Sequence, residues 1–155
     1  MTETDPRSRH PKLARALDRL AAADLRSACA EPAPPALVQA IHEFNGGEFF
    51  EQHETLEVLW RATPDEIRHL YEGILQIGVG MHHLLEKHNF HGAAVKLDHG
   101  IQLLDAFPAV CHGVAIDQLR RDAQRAREHL LALGPERLDQ FDHRLVPRVH
   151  FTGEP

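Results

Sequence analysis

Apolar residues recur at three- and four-residue intervals along nearly the whole chain, and stretches in which apolar and polar residues alternate are absent. A period near 3.6 gives a helix one apolar face and cannot give a strand one, so the chain is restricted to helices packed on helices. Proline and glycine divide the pattern. A first helix is expected over about residues 11–30, with Leu13, Leu17 and Leu20 on one face. The segment Glu31-Pro32-Ala33-Pro34-Pro35 ends it, because proline has no N–H and restrains the residue before it. Further helices are expected over 35–44, stopped by Asn45-Gly46-Gly47, and over 48–62. The next, 63–87, is entered through a capping box, Thr63-Pro64-Asp65-Glu66. Two more cover 91–106, ended by Phe107-Pro108, and 117–133, capped by Asp117 and stopped by Gly134-Pro135. The tail offers a helical turn or two and then an extended Val146-Pro147-Arg148. The expected fold is all-α: a compact bundle of five to six helices over residues 35–155, with a helical N-terminal arm and hinge-like proline linker over 1–34.

Composition narrows the partners. A chain of 155 residues buries one core. With 17 basic and 23 acidic residues its formal charge is −6, which leaves no basic stripe to neutralise the phosphates of a nucleic acid. Cys29 and Cys111 are far apart and form no C-x-x-C pair, so neither a disulfide framework nor a zinc knuckle is expected, and a reducing cytoplasm is the default location. The polar stretch from Met1 to Lys12 lacks the apolar region of a signal peptide. No run approaches the roughly 20 apolar residues that span a bilayer, so no membrane partner is expected.

The segment from Phe44 to Trp60 concentrates the polar chemistry. With about 100° between successive side chains, His53, Leu56 and Trp60 fall within about 40° of Phe49, and Glu57 lies about 80° away. His53 is thus central in an apolar stripe, with Glu57 beside it at i+4, a spacing that permits a direct hydrogen bond. Glu51 and Thr55 project to the opposite side and Glu54 to the flank. In the following helix Ile67, Leu70, Ile74, Ile77, Met81 and Leu84 define a broad apolar sector that includes His82, while Gln76 and His83 lie on another side. Gly73, Gly78 and Gly80 each destabilise that helix by about 1 kcal/mol relative to alanine. Such glycines imply close approach of a neighbouring helix or room for a side chain. Helices 48–62 and 63–87 are therefore expected to pack closely and bring His53 and Glu57 near His82.

These residues carry a resemblance. The run F-N-x-x-x-F-F-E-x-H-E-x-L-E-x-x-W over 44–60, then Gly73-Ile74-Leu75-Gln76 leading to Met81-His82-His83, Asn89-x-x-Gly92-Ala93, Phe107-Pro108 and Gly113…Asp117, resembles the domain of unknown function 309 family of small helical bacterial and archaeal proteins. The likeness extends over about 37–133 and leaves the N-terminal arm outside. Phe50, Glu51, His53, Glu54, Glu57, Trp60, Gly73, Gln76 and His82 are the positions carried over. Between His83 and Asn89 the chain is one residue longer than the family pattern, and His88 stands where the family tends to have glycine. The resemblance implies a compact all-α fold and brings no activity.

Three readings fit the cluster. His53-Glu54-Thr55-Leu56-Glu57 is H-E-x-x-E, one residue from the H-E-x-x-H of zinc proteases. A metal-dependent hydrolase would use His53, Glu57 and His82 (or His83) as ligands of a divalent metal and Glu54 as general base. Alternatively His53, Glu57 and His82 form a buried hydrogen-bonded network that fixes helix register, with Trp60 packed on it. The third reading, adopted here, is a non-catalytic binding or interaction module. Its centre is His53, Glu57, Trp60 and His82, with Glu54, Gln76 and His83 at the margin. It would take a small polar ligand, or a helix from a protein partner or a second copy. A nucleophilic triad is not indicated, since Cys111 and His112 are adjacent on a loop, and Gly46-Gly47 lacks the lysine and strand of a phosphate loop.

Overall fold

The first expected helix is broken in two. In the computed structural model, which describes residues 10–153, it forms α1 (Pro11–Ala22) and α2 (Arg26–Ala30). The break lies at Asp24, whose carboxylate accepts the backbone N–H of Arg26 at 3.1 Å and its guanidinium at 3.1 and 3.0 Å. A side chain that takes up a backbone donor two residues on competes with the helical ladder. The same hydrogen bonds from Arg26 pull the Asp24 carboxyl down to about 2.

Five further helices follow: α3 (Pro35–Asn45), α4 (Phe49–Ala62), α5 (Arg68–Leu85), α6 (Phe90–Asp105) and α7 (Ile116–Leu133). Short 3-10 segments at Pro135–Gln140 and His143–Leu145 close the described chain, with Val146-Pro147-Arg148 extended between them and the end. The fold is all-α with one addition. Val110–Cys111 (β1) and Val114–Ala115 (β2) pair as an antiparallel hairpin. His112 and Gly113 between them have φ of 55° and 71°, the backbone that a two-residue hairpin turn requires. Strands of two residues are too short to show alternation in a sequence.

Two expected caps act elsewhere. The Thr63 hydroxyl donates to the Leu59 carbonyl at 2.7 Å, closing the end of α4 instead of opening α5. The α5 helix is entered through a tighter turn, in which the N–H groups of Arg68, His69 and Leu70 donate to the carbonyls of Asp65, Glu66 and Ile67. At α7 the carbonyl of Ala109 accepts both the Ile116 and Asp117 N–H groups. Asp117 is therefore free to bind Arg120 at 2.7 Å and Arg121 at 3.1 Å, and the Arg120 hydrogen bond lowers its carboxyl below the usual range.

The core is built around α5, where Leu70, Ile74, Ile77 and Met81 are fully buried. Helix α6 crosses it closely at Gly100: a Cβ there would lie 2.9 Å from the Gly73 carbonyl oxygen and 2.6 Å from Ile77. The glycines expected to let α4 approach thus also seat α6. Gly78 is the one that faces α4, and a Cβ on it would overlap the Gln52 amide. Helix α1 lies against α6 and sends Leu13, Ala16 and Leu20 into the same apolar core.

Cys29 of α2 and Cys111 of β1 form a disulfide across 82 residues of sequence. This corrects the expectation of two unpaired cysteines and removes the argument from them for a reducing compartment. No C-x-x-C spacing marks the pair, because the fold and not the local chain brings the two strands of backbone together. His112, 5 % exposed, completes the junction. Its backbone N–H donates to the Cys29 carbonyl, and its ring bridges the Glu31 carbonyl (Nδ1, 2.8 Å) and the Tyr71 hydroxyl (Nε2, 2.9 Å). A carbonyl only accepts, so Nδ1 carries a proton toward Glu31. Burial, with Glu31 nearby, pushes the Tyr71 phenol up to about 12. Among the described residues no helix is long and apolar enough to cross a membrane.

Candidate functional site

Helices α4 and α5 run in opposite directions, so that Phe50 meets His82 at one end of the pair and Trp60 meets Arg68 at the other. On the inner face of α4, Phe49, Gln52 and Leu56 turn inward, at 4 %, 0 % and 0 % exposure. Gln52 is the polar residue that occupies the interface. Its Nε2 donates to the Leu75 carbonyl at 3.3 Å and its amide fills the space over Gly78.

At the first end Phe49, Phe50, His53, Val79 and His82 line a cleft of about 200 Å³. The Phe50 ring neighbours both imidazoles, its centroid 6.4 Å from His53 and 6.2 Å from His82. Both histidines are half-buried. Glu57 does not join them. Its carboxylate is held by Arg61, one turn further along α4, at 3.1 Å in a largely exposed pair. A guanidinium at i+4 offers a charge-assisted hydrogen bond that an imidazole at i−4 does not match. Glu54 is exposed. The expected ligand set His53, Glu57 and His82 is thus divided, and among the described residues no three His, Cys, Asp or Glu side chains converge.

Trp60 is seven residues beyond His53, about 10 Å along the axis at 1.5 Å per residue. It belongs to the opposite end of the pair. The Arg68 guanidinium lies over its ring, 4.8 Å from the centroid. A cleft of about 250 Å³ opens there against α1, lined by Lys12, Arg15, Ala16, Arg19, Trp60, Arg68, His69 and Glu72. Gln76 faces a smaller cleft on the other flank of α1, about 140 Å³, with Lys96 and His99. Burial, and then Lys96, lowers the His99 imidazole below its usual value. His83 is half-buried near Gly92. Burial first, then the neighbouring His82, Lys96 and Lys87, lowers its imidazole as well.

Three buried polar side chains escape a sequence reading: Gln52, His69 and His112. His69 had a signal. In Glu66-Ile67-Arg68-His69-Leu70-Tyr71-Glu72 it has a carboxylate three residues away on each side, and both reach its ring, Glu72 at 2.8 Å from Nδ1 and Glu66 at 3.3 Å from Nε2. Gln52 had a weaker one, an amide within the apolar sector of α4 opposite a glycine. His112 had none, because its partners come from Glu31 and Tyr71.

Residues 37–95 match the family described as Domain of unknown function (DUF309). The match begins in α3, takes in α4 and α5 and stops in the first turns of α6. It includes both ends of the α4–α5 pair and ends short of the 133 expected from the sequence. Helix α1, the disulfide and the hairpin lie outside it. No curated protein and no solved structure matches the chain.

Proposed function

We propose that this chain, whose residues 37–95 match the family described as Domain of unknown function (DUF309), is a non-catalytic binding module that takes one apolar side chain of a protein partner into the cleft between α4 and α5. The observation that carries this reading is Phe50. Its ring is 54 % exposed beside a mainly apolar cleft, on a helix that already supplies Phe49 and Leu56 to the core. Exposed apolar surface at the mouth of a cleft is characteristic of interaction sites. The volume of about 200 Å³ falls below the roughly 300–1,000 Å³ of pockets that enclose a whole drug-sized ligand. It suits one ring or one branched side chain, the kind of anchor in which interfaces concentrate binding energy. His53 and His82 give the cleft a polar rim, since an imidazole offers both a donor and an acceptor. Neither imidazole has a carboxylate partner among the described residues. A catalytic base is ordinarily oriented by such a third group, which favours binding over chemistry.

The test uses p-cresol, the side chain of tyrosine, titrated into isotope-labelled protein. The ring resonances of His53 and His82 are expected to shift saturably. Phe50→Ala is expected to abolish the response while lowering stability by no more than about 0.5 kcal/mol, as for an exposed residue. Leu131→Ala, which removes a comparably exposed apolar side chain from α7, is expected to leave the response intact. Silent imidazoles in the wild type, or an unchanged response in Phe50→Ala, would contradict the reading.

A further inference from the structure

The opposite end of the α4–α5 pair carries a different chemistry. Lys12, Arg15 and Arg19 stand on α1 at i, i+3 and i+7, a spacing that places all three on one flank of the helix. That flank faces Arg68 across the cleft of about 250 Å³. Four cations thus meet at one opening in a chain whose formal charge is −6. Two carboxylates lie close by: Glu72, which lines the same cleft, meets His69 Nδ1 at 2.8 Å, and Glu66 lies 3.3 Å from His69 Nε2. Among the described residues, no carboxylate forms an ion pair with Arg15, Arg19 or Arg68.

The hydrogen-bonding inventory points the same way. Trp60 Nε1 and Arg68 Nε are buried and have no hydrogen-bond partner among the described residues, and the same is true of Glu66 Oε1 and His69 Nε2. The first two are donors that cannot accept, and a buried donor without a partner destabilises by roughly 1–3 kcal/mol. Donors of this kind are met by a group made only of acceptors. The Arg68 guanidinium also lies over the indole, 4.8 Å from its centroid, and a guanidinium fork matches the oxygens of a tetrahedral oxyanion.

We infer that this cleft, between α1 and the Trp60 end of α4–α5, is a binding site for the phosphoryl group of a small phosphorylated molecule. Arg68 and the Trp60 N–H hold the oxygens from the α4–α5 side, and Lys12, Arg15 and Arg19 neutralise the charge from the α1 side. The small cleft and the net charge of −6 argue against a nucleic-acid backbone, which needs an extended basic track. Three of the four cations lie on α1, outside residues 37–95 that match the family.

Trp60 is the sole tryptophan and reports directly from the site. The experiment follows its fluorescence while inorganic phosphate, and separately methyl phosphate, replaces chloride at constant ionic strength. Both are expected to give a saturable change, with methyl phosphate binding at least as tightly as the inorganic ion. Arg68→Gln is expected to weaken binding at least tenfold, and Arg15→Gln or Arg19→Gln severalfold. Arg121→Gln on α7 is expected to have no effect. Arg68→Lys keeps the charge and loses the fork, so it guards against misfolding and is expected to bind more weakly than wild type with a native circular dichroism spectrum. A non-saturable change, an equal response to chloride, rejection of the ester, or Arg68 variants that fold and bind as the wild type does would each overturn the inference.

Discussion

The α4–α5 pair presents a different surface at each end. At the Phe50 end every lining residue comes from the two helices themselves, and the surface is apolar with an imidazole rim. At the Trp60 end half of the surface is supplied by α1, and the lining is cationic. One pair of helices therefore carries an intrinsic cleft and a composite one. The composite cleft depends on whatever holds α1 and α2 in place, whereas the intrinsic one depends only on how α4 meets α5. Gln52 on Gly78 sits between them and sets that meeting.

Removing the disulfide separates the two ends most sharply. Closing a loop of this length in the unfolded chain is worth roughly 4–5 kcal/mol by chain entropy, with measured losses of about 2–5 kcal/mol on removal of native disulfides. Cys29→Ser is expected to lower stability within that range in urea unfolding. It is also expected to weaken phosphate binding at Trp60 while the response of His53 and His82 to p-cresol stays unchanged. Equal loss at both ends would show that the arm supports the whole domain and not one surface.

A smaller effect tests the joint between the ends. Gly78→Ala forces a methyl group against the Gln52 amide, and overpacking of this kind typically destabilises by about 1–3 kcal/mol. Gln52→Ala in the same chain removes the obstructing amide, so the double variant is expected to be more stable than the sum of the two single losses. A double-mutant cycle measures that coupling. Simple additivity would mean that the amide and the glycine do not set the helix approach.

The smallest effect is in pH. Burial lowers the imidazoles of His83 and His99 from the ordinary value of 6.5, so the folded state binds fewer protons than the unfolded one below that pH. Their contribution is complete above 6.5 and is lost as pH falls through the lowered native values. Stability is expected to decline as the pH drops from about 7 to 5, and less steeply in His83→Gln and His99→Gln. A decline of the same slope in both variants would place the proton uptake elsewhere.

Most of the helices were legible because their apolar faces repeat locally. Errors arose where a side chain chose between two local partners, as Asp24 did in breaking the first helix and Thr63 in closing α4. The disulfide and the His112 junction were illegible for a different reason: they join residues from α2, α5 and the hairpin, and no spacing encodes that. Angles around α4 turn His53 toward α5, and the structure places it with His82 on the Phe50 cleft. The same angles grouped Trp60 and Glu57 with them. A helical wheel discards distance along the axis, which puts Trp60 at the other end, and it does not register Arg61, which draws Glu57 away.

The most direct measurement of the two-surface account is a two-probe map on one uniformly labelled sample, p-cresol first and phosphate second. The account expects p-cresol to move the rings of His53 and His82 and leave the Trp60 indole N–H in place, and phosphate to do the reverse. Both probes moving the same resonances, or His53 and His82 remaining still at saturating p-cresol, would contradict it.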